Sequence, residues 1–374
     1  MRIAALIVGL SLVACVESVS DEAGSDSGGK ADGSGASHTL PGYDETMLVG
    51  SGDGKLAVIH IGDRFSKQSV ALAATQSPTV IHSHAGKFYA LQHTGKLVVI
   101  DPVTAKVERT VDVGRAPEDL AWAADGTVYV SSESAVETYD VASGVRIASL
   151  DFASLASAGG TVQTRRMLRI ADRLFVQVAR KNASGREENG ALAVVKNGAI
   201  ETVIELEGLE PDFDLVHDTR RGILYVTCAG VRPINTGTLV RIDTATLAVH
   251  DRIRADSGWQ GIVQFTDPFE ILFMIYHTST PTTSSHLFAF SVDDAGALHD
   301  ADPTRGALVD AFDGLNALSM NADGTLVAMA NHCAAGFCVG GAGINFLDVA
   351  TQQKHQKLLK AELGFEPVII EFAR

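Results

Sequence analysis

The sequence predicts an all-β fold, a seven-bladed β-propeller, and three observations lead to it. Glycine accounts for 36 of the 374 residues and only 20% of residues are charged, a composition typical of sheet proteins with many turns. Turn signals recur along the chain with a period of about 50 residues. Finally, the first repeat lacks its opening strand, while the last hydrophobic run has no further strands after it.

The repeat has two markers. The tetrads that start at Ala124 and Ala322 both read Ala-Asp-Gly-Thr, and each precedes a β-prone run. An Asp followed three residues later by Ser or Thr ends a hydrophobic run at Asp101, Asp140, Asp243 and Asp348. These aspartates are spaced by 39, 103 and 105 residues, which corresponds to one, two and two repeats. An Asp side chain that binds the backbone just ahead of it makes a tight turn, so we interpret them as turn formers rather than catalysts.

Each repeat is interpreted as four strands, and a first strand can be located seven times. These first strands begin near Pro78, Pro117, Thr164, Pro211, Gln260, Leu315 and Pro367. The seventh has no room for three further strands before Arg374, whereas the first unit begins with its second strand, at 46–49. We therefore predict a propeller over residues 41–374 in which the C-terminal strand completes blade 1, because ring closure hides the sheet edges.

The first residues have the pattern of a bacterial lipoprotein signal peptide. Arg2 precedes an apolar run from Ile3 to Ala14, which is too short to span a bilayer. Residues 12–15, Leu-Val-Ala-Cys, resemble the lipobox, which implies signal peptide 1–14 and a lipid such as palmitate on Cys15. Residues 15–40 are acidic and rich in Gly and Ser, as expected of a flexible tether. By resemblance to the enterobacterial sorting rule, an Asp directly after the lipidated cysteine would favour retention in the inner membrane. Here that residue is Val16, so we expect attachment to the outer membrane of the cell envelope.

Charge narrows the range of partners. The formal net charge is −15 and the pI is about 5.2, which argues against nucleic acid as a partner. The expected partners are a membrane, reached through the N-terminal lipid, and a protein, glycan or small-molecule ligand of unknown identity. We expect a monomer.

Two stretches resemble YVTN-type propeller repeats, in which YVT-, VID- and PDG-like segments recur. They are KLVVIDPVTAKVERTVDVGRAPEDLAWAADGTVYVSS, residues 96–132, and the pair ILYVTCAG and TLVRIDTATLAVHDRI within residues 223–253. Such repeats occur in surface-layer-like proteins, quinoprotein dehydrogenase subunits and lactonase-like hydrolases. The resemblance implies a propeller in a cell-envelope setting and no single activity.

Candidate ligand-binding residues are the polar residues at the starts of the first strands, which should surround one mouth of the central channel. They are Glu118, Asp119, Arg165, Arg166, Asp212, Asp214, Gln260, Asn316 and Glu366. His93, His277 and His332 end second strands on the same face, whereas His82 and His84 are assigned to the opposite face. A metal site built from His277 and His332 is kept as an alternative, since imidazoles suit zinc or copper, although the sequence shows no third ligand.

The segment NHCAAGFC, residues 331–338, could bind a metal, carry out redox chemistry or form a disulfide that closes a loop. In an oxidising envelope, the four residues between Cys333 and Cys338 are few enough to bring the two sulfurs together, so we expect a disulfide there. Cys228 would then be a free thiol at the end of a strand.

Two functional hypotheses follow from these observations. The favoured one is a non-catalytic, lipid-anchored propeller that binds a partner or ligand at its channel mouth, because the sequence contains neither CxxCH nor GxSxG and no cofactor is expected. The alternative is a metal-dependent hydrolase of the lactonase kind, or a quinoprotein-like oxidoreductase.

Overall fold

The computed structural model describes residues 40–374 except 41, 64, 73–76, 124–125, 207–210, 229–237, 255–258, 267–269, 278–283, 301–308, 314, 332–341 and 356. The predicted signal peptide, Cys15, most of the tether, His332, Cys333 and Cys338 therefore lie outside the described residues. So do the side chains of Asp212, Gln260, His277 and Asn316, whose backbone is described.

The described residues are almost entirely β-structure. In chain order the strands are β1 (Glu45–Ser51), β2 (Leu56–Ile61), β3 (Ser66–Val70), β4 (Pro78–His84), β5 (Lys87–Gln92), β6 (Lys96–Asp101), β7 (Lys106–Asp112), β8 (Pro117–Trp122), β9 (Thr127–Ser132), β10 (Ala135–Asp140), β11 (Val145–Asp151), β12 (Thr161–Ile170), β13 (Arg173–Lys181), β14 (Ala191–Lys196), β15 (Ala199–Glu205), β16 (Pro211–Asp218), β17 (Ile223–Cys228), β18 (Thr238–Asp243), β19 (Val249–Arg254), β20 (Trp259–Thr266), β21 (Ile271–His277), β22 (Ser284–Val292), β23 (Leu298–Asp300), β24 (Val309–Asp313), β25 (Leu315–Met320), β26 (Leu326–Asn331), β27 (Gly343–Asp348), β28 (Leu358–Leu359) and β29 (Pro367–Phe372).

These strands form seven antiparallel sheets, which are the blades of a propeller. Blade 1 has the order β29-β1-β2-β3, and blades 2 to 5 take β4 to β19 four at a time. Blade 6 contains β20 to β23, with β24 paired to β22 beside β23, and blade 7 contains β25 to β28. The inner strands β29, β4, β8, β12, β16, β20 and β25 contact one another in that order around the ring. The predicted seven-bladed propeller is thus confirmed.

The C-terminal strand closes the ring as the sequence predicted. Strand β29 pairs antiparallel with β1, with Phe372 opposite Met47 and Ile369 opposite Gly50. Phe372 and Ile370 are buried in a cluster that also contains Phe346 of blade 7. Burying a large apolar side chain stabilises a fold by about 1.5–3 kcal/mol, so this strand joins blades 1 and 7 through both hydrogen bonds and packing.

The predicted starts of the inner strands hold for five of the seven. Strand β12 begins at Thr161 rather than Thr164, because the long strand β13 supplies Lys181 as a partner for Thr161. Strand β20 begins at Trp259, one residue before Gln260, because Trp259 pairs with His277.

The aspartate turns are also confirmed. Asp101 Oδ1 accepts hydrogen bonds from the Thr104 backbone N–H, at 2.8 Å, and from the Thr104 hydroxyl, at 2.9 Å. The corresponding bonds recur from Ser143 to Asp140, from Thr246 to Asp243 and from Thr351 to Asp348. Each turn connects the third and fourth strands of a blade, so these carboxylates are structural.

The described residues include one four-residue α-helix, α1 (Lys360–Leu363), and a single 3-10 turn at Ala153–Leu155. Neither has the length and apolar character of a membrane-spanning helix, and no other helix of the described chain does.

Candidate functional site

Every inner strand contains a β-bulge or register irregularity, which lies near the start of six of them and at residues 164–167, in the middle, of β12. In β8 the pairing with β9 moves from Pro117 to Asp119 while the partner strand advances by one residue, which leaves Glu118 as the extra residue. Equivalent irregularities occur in the other six inner strands. Bulges increase the local twist and redirect side chains, and they are frequent beside binding sites. The residues predicted to surround the channel mouth fall in or next to these bulges.

The inner strands surround a cavity of about 900 Å³. Each of the seven inner strands, or the turn that follows it, contributes to the lining. Side chains from the bulges, Asp119, Arg166 and Asp214, lie in the cavity, and the lining continues to Thr219, Asp323 and Arg374. Because these last residues follow the ends of inner strands, the cavity extends away from the predicted mouth toward the opposite face of the ring.

Asp119 is the most buried charged side chain of this cavity, with 1% of its surface exposed. Its Oδ2 accepts the Met167 backbone N–H at 2.7 Å, and its Oδ1 lies 3.1 Å from His82 Nε2 and 3.4 Å from Arg166 Nη1. Burial alone would raise the pKa of Asp119, but the His82 hydrogen bond, the Arg166 charge and the Met167 amide together lower it. Asp119 is therefore a carboxylate that ties three blades together.

His82 was assigned to the face opposite the predicted mouth, yet its imidazole reaches Asp119, one of the predicted mouth residues. Its imidazole is half-buried and contacts Asp119 from strand β4 of the neighbouring blade. A residue near the end of one inner strand can reach a residue near the start of the next because the ring curves and β8 is bulged. Burial opposes the charged imidazole, but the Asp119 hydrogen bond and charge, aided by Glu371, raise the pKa of His82.

Arg166 and Asp214 continue this polar cluster. Burial would lower the pKa of Arg166, but the charges of Asp119 and Asp214 outweigh it and raise the pKa, so the guanidinium is charged. Asp214 Oδ1 accepts the Leu215 backbone N–H at 2.9 Å. The backbone carbonyl of Asp214 accepts hydrogen bonds from the buried side chains of Gln177 and Thr227, which satisfy the bulge of β16.

Other predicted mouth residues lie beside the cavity rather than in its lining. Glu118 accepts a hydrogen bond from Gln163 Nε2 at 2.7 Å and lies 3.4 Å from Arg165 Nη1. Glu366 forms an ion pair of 3.0 Å with Lys360 of α1. Glu118 is the extra residue of the bulge in β8, and the bulge redirects its side chain, which is why Glu118 and Asp119 have different surroundings.

The lining also includes polar residues toward the ends of the inner strands that were not predicted from the sequence: Arg169, His217, Asn321, Asp323, Glu371 and Arg374. Glu371 accepts the Ser319 hydroxyl at 3.0 Å, and Arg374 Nη2 donates to the Met320 carbonyl at 3.2 Å. Polar residues at the ends of otherwise apolar inner strands, as in LVHD and EFAR, were the available signal.

Metal ligation stays a prediction. Among the described side chains, no three His, Cys, Asp or Glu residues converge as a metal site would require. Of the predicted ligand pair, the side chain of His277 and the whole of His332 lie outside the described residues.

Cys228 is fully buried at the end of β17 and forms no disulfide. Burial raises the pKa of its thiol well above the usual range, so it is an inert apolar side chain rather than a nucleophile.

Fold and cavity together define the class: the chain is a seven-bladed β-propeller with a polar central cavity. No protein-family model matches the sequence, and no curated protein matches it. The relationship to YVTN repeats therefore stays a prediction.

Solved structures share this fold. A structure described as a putative 6-phosphogluconolactonase from Bacteroides uniformis has a TM-score of 0.63 at 12% identity and covers 88% of this chain and 100% of its own. One from Bacteroides fragilis, described in the same way, has a TM-score of 0.60 at 12% identity, covering 88% and 98%. Hydrazine synthase of Kuenenia stuttgartiensis has a TM-score of 0.55 at 15% identity, covering 72% and 76%. At such identities the likeness shows the fold alone.

Proposed function

We propose that this propeller is a binding module whose central cavity holds a small, polar, hydroxyl-bearing ligand. The observation that supports the proposal is the cavity of about 900 Å³, lined around the ring by carboxylate, guanidinium, imidazole and amide groups. A pocket of this size suits a small molecule rather than a protein segment. Hydroxyl groups both donate and accept hydrogen bonds, so they match a lining that offers both kinds of partner.

Asp119 is the centre of the proposed site. Its position is fixed by the Met167 amide and by His82, and the Arg166 charge beside it keeps it ionised. A ligand hydroxyl that donates to Asp119 would form a charge-assisted hydrogen bond, which is stronger than a bond between two neutral groups. A rigid, prepositioned acceptor also reduces the entropy lost on binding.

The test is a ligand screen of the purified protein with monosaccharides, sugar acids and sugar phosphates, followed by thermal unfolding and calorimetry. A ligand that binds in the cavity raises the Tm, and Asp119→Asn weakens its binding by roughly tenfold or more. Asp112→Asn is the matched control, since Asp112 is 81% exposed at the end of β7 and pairs with Lys96. Binding unaffected by Asp119→Asn would contradict the proposal.

A turnover assay of the same purified protein distinguishes a binding module from a hydrolase. Two structural neighbours are described as putative lactonases, and an imidazole oriented by a buried carboxylate, as His82 is by Asp119, can act as a general base. If the protein is a binding module, we expect no turnover of sugar lactones, measured as the absence of the pH fall that lactone hydrolysis produces. If the protein turns over a lactone and His82→Gln abolishes that turnover, the protein is a hydrolase rather than a binding module.

Attachment to the cell envelope through Cys15 stays a prediction, since residues 1–39 are not described.

A further inference from the structure

Arg169 is a partly buried arginine that lacks the partner found for the other partly buried arginines of the described chain. It is half-buried, lines the cavity, and forms no hydrogen bond or ion pair with any described residue. By contrast, a carboxylate faces each of Arg165, Arg166, Arg173, Arg180, Arg221 and Arg241. An arginine side chain is always charged, and shielding it from water without a counter-charge is unfavourable. Its place in the lining therefore calls for an explanation.

The acidic residues of the cavity do not supply the missing partner. Asp119 is engaged by His82, Arg166 and the Met167 amide, and Glu371 accepts the Ser319 hydroxyl. Asp214 accepts the Leu215 amide and interacts with Arg166. Asp323 also lies in the lining and forms no hydrogen bond or ion pair with Arg169. Because none of these four described carboxylates contacts Arg169, its guanidinium is available to a molecule that enters the cavity.

We infer that the cavity ligand is an organic anion whose carboxylate or phosphate group is bound by Arg169. A guanidinium presents several N–H donors in one plane, which matches the oxygens of either group in a two-point contact. The hydroxyl-bearing remainder of the ligand would reach the Asp119 cluster, which lines the same cavity. This inference rests on the proposed function and specifies the class of ligand, namely sugar acids or sugar phosphates over neutral sugars.

The test uses matched pairs of charged and neutral probes on the full chain. D-Galacturonate against D-galactose tests a carboxylate, and glucose 6-phosphate against glucose tests a phosphate, with the dissociation constant measured by calorimetry. We expect the charged member of at least one pair to bind at least tenfold more tightly than its neutral partner, and Arg169→Gln to remove that difference. The pair that shows the difference identifies which acidic group the cavity takes.

Stability separates a ligand contact from a structural role. Because Arg169 has no partner among the described residues, Arg169→Gln should leave the Tm of the unliganded protein unchanged or slightly higher. Arg173→Gln is the matched control: Arg173 pairs with Glu201 in two contacts, of 2.8 and 3.1 Å, so its loss should lower the Tm while ligand binding is kept.

The outcomes distinguish this inference from the proposed function. Equal binding of charged and neutral probes, or a charge preference that survives Arg169→Gln, overturns the inference. If such binding is still weakened by Asp119→Asn, the proposed function stands. If none of the four probes binds, the inference is overturned, whereas the proposed function is decided by the wider screen.

Discussion

At the scale of single residues, Asp119 shows how a charge can be buried in this ring. The charged carboxylate is matched by hydrogen bonds from two neighbouring inner strands, β4 and β12, and by one guanidinium. Removing one partner of such a group costs more than the hydrogen bond alone, because the buried charge is left without compensation. The cluster that we propose for ligand binding therefore also joins blades 2, 3 and 4.

The His82–Asp119 contact should make stability depend on pH. The pKa of His82 is raised above its ordinary value of 6.5, so its contribution is complete below that pH and is lost as the pH rises through the raised pKa. The pKa of Asp119 is lowered below its ordinary value of 3.8, so its contribution is present above that pH and is lost on stronger acidification. The contact therefore stabilises the fold most between pH 3.8 and 6.5.

We predict that His82→Gln lowers the Tm more at pH 5.5 than at pH 8.5. The imidazole is partly exposed, so the loss at pH 5.5 should be about 1 kcal/mol, or roughly 2 °C. Thermal unfolding at both pH values measures it. His93→Gln is the control, since His93 is exposed and has no described partner. A His82→Gln effect of equal size at both pH values would contradict the assigned ion pair.

At the scale of secondary-structure elements, close backbone contacts constrain the turns. Gly95 lies in the turn between β5 and β6 with a φ of +87°, and its carbonyl accepts the Val113 N–H at 2.9 Å. A Cβ atom at this position would lie 1.6 Å from the carbonyl oxygen of Gly114. The turn is thus packed directly on the segment that leads from blade 2 into blade 3. Only glycine fits both the backbone conformation and the available space.

We expect Gly95→Ala to destabilise the protein by roughly 3 kcal/mol or more, because backbone atoms must move to accommodate the methyl group. Gly86→Ala is the matched control: Gly86 has a φ of +71° but no atom within 4 Å of an added Cβ. That variant should lose only about 1–2 kcal/mol, from the backbone conformation alone. Urea unfolding measures both, and similar losses would show that the contact is not limiting.

At the scale of the whole molecule, one strand holds the two ends of the described fold together. Strand β29 supplies the inner strand of blade 1, and Ile370 and Phe372 pack into the cluster between blades 1 and 7. Without β29, strand β1 would present unpaired backbone groups and an apolar face to solvent, and such edges recruit other chains. Ring closure is therefore a condition for a soluble, compact propeller.

We predict that a chain truncated after Glu366 has a Tm at least roughly 10 °C lower than the full chain, or aggregates, because removal of the buried Phe372 side chain alone, with the cavity it leaves, costs about 3–5 kcal/mol. A peptide of residues 367–374 added in trans should bind the open edge and restore part of the lost Tm. Calorimetry and light scattering follow both effects. A truncated chain that is monomeric and as stable as the full chain would contradict this account of closure.

The fold class, the number of blades, the strand that closes the ring and the aspartate turns could all be predicted from the sequence alone. Hydrophobic runs and turn residues act over a few neighbouring residues, and their recurrence about every 50 residues can be counted along the chain without knowing any tertiary contact. Only the tertiary structure decided which polar side chains meet. His82 and Asp119 are 37 positions apart, and their contact depends on ring curvature and on a bulge that shifts the register of β8.

The tertiary structure likewise decided which of two adjacent acids lines the cavity. Glu118 and Asp119 are both acidic and cannot be told apart by sequence pattern. The bulge directs Glu118 to Gln163 and Arg165, whereas it directs Asp119 to the channel. The position of Arg169 near the end of an inner strand was visible in the sequence, but its lack of a counter-charge among the described residues was not, because that is a property of the surrounding space. Burial and the pairing of charges are set by residues distant in the chain, so no local pattern can predict them.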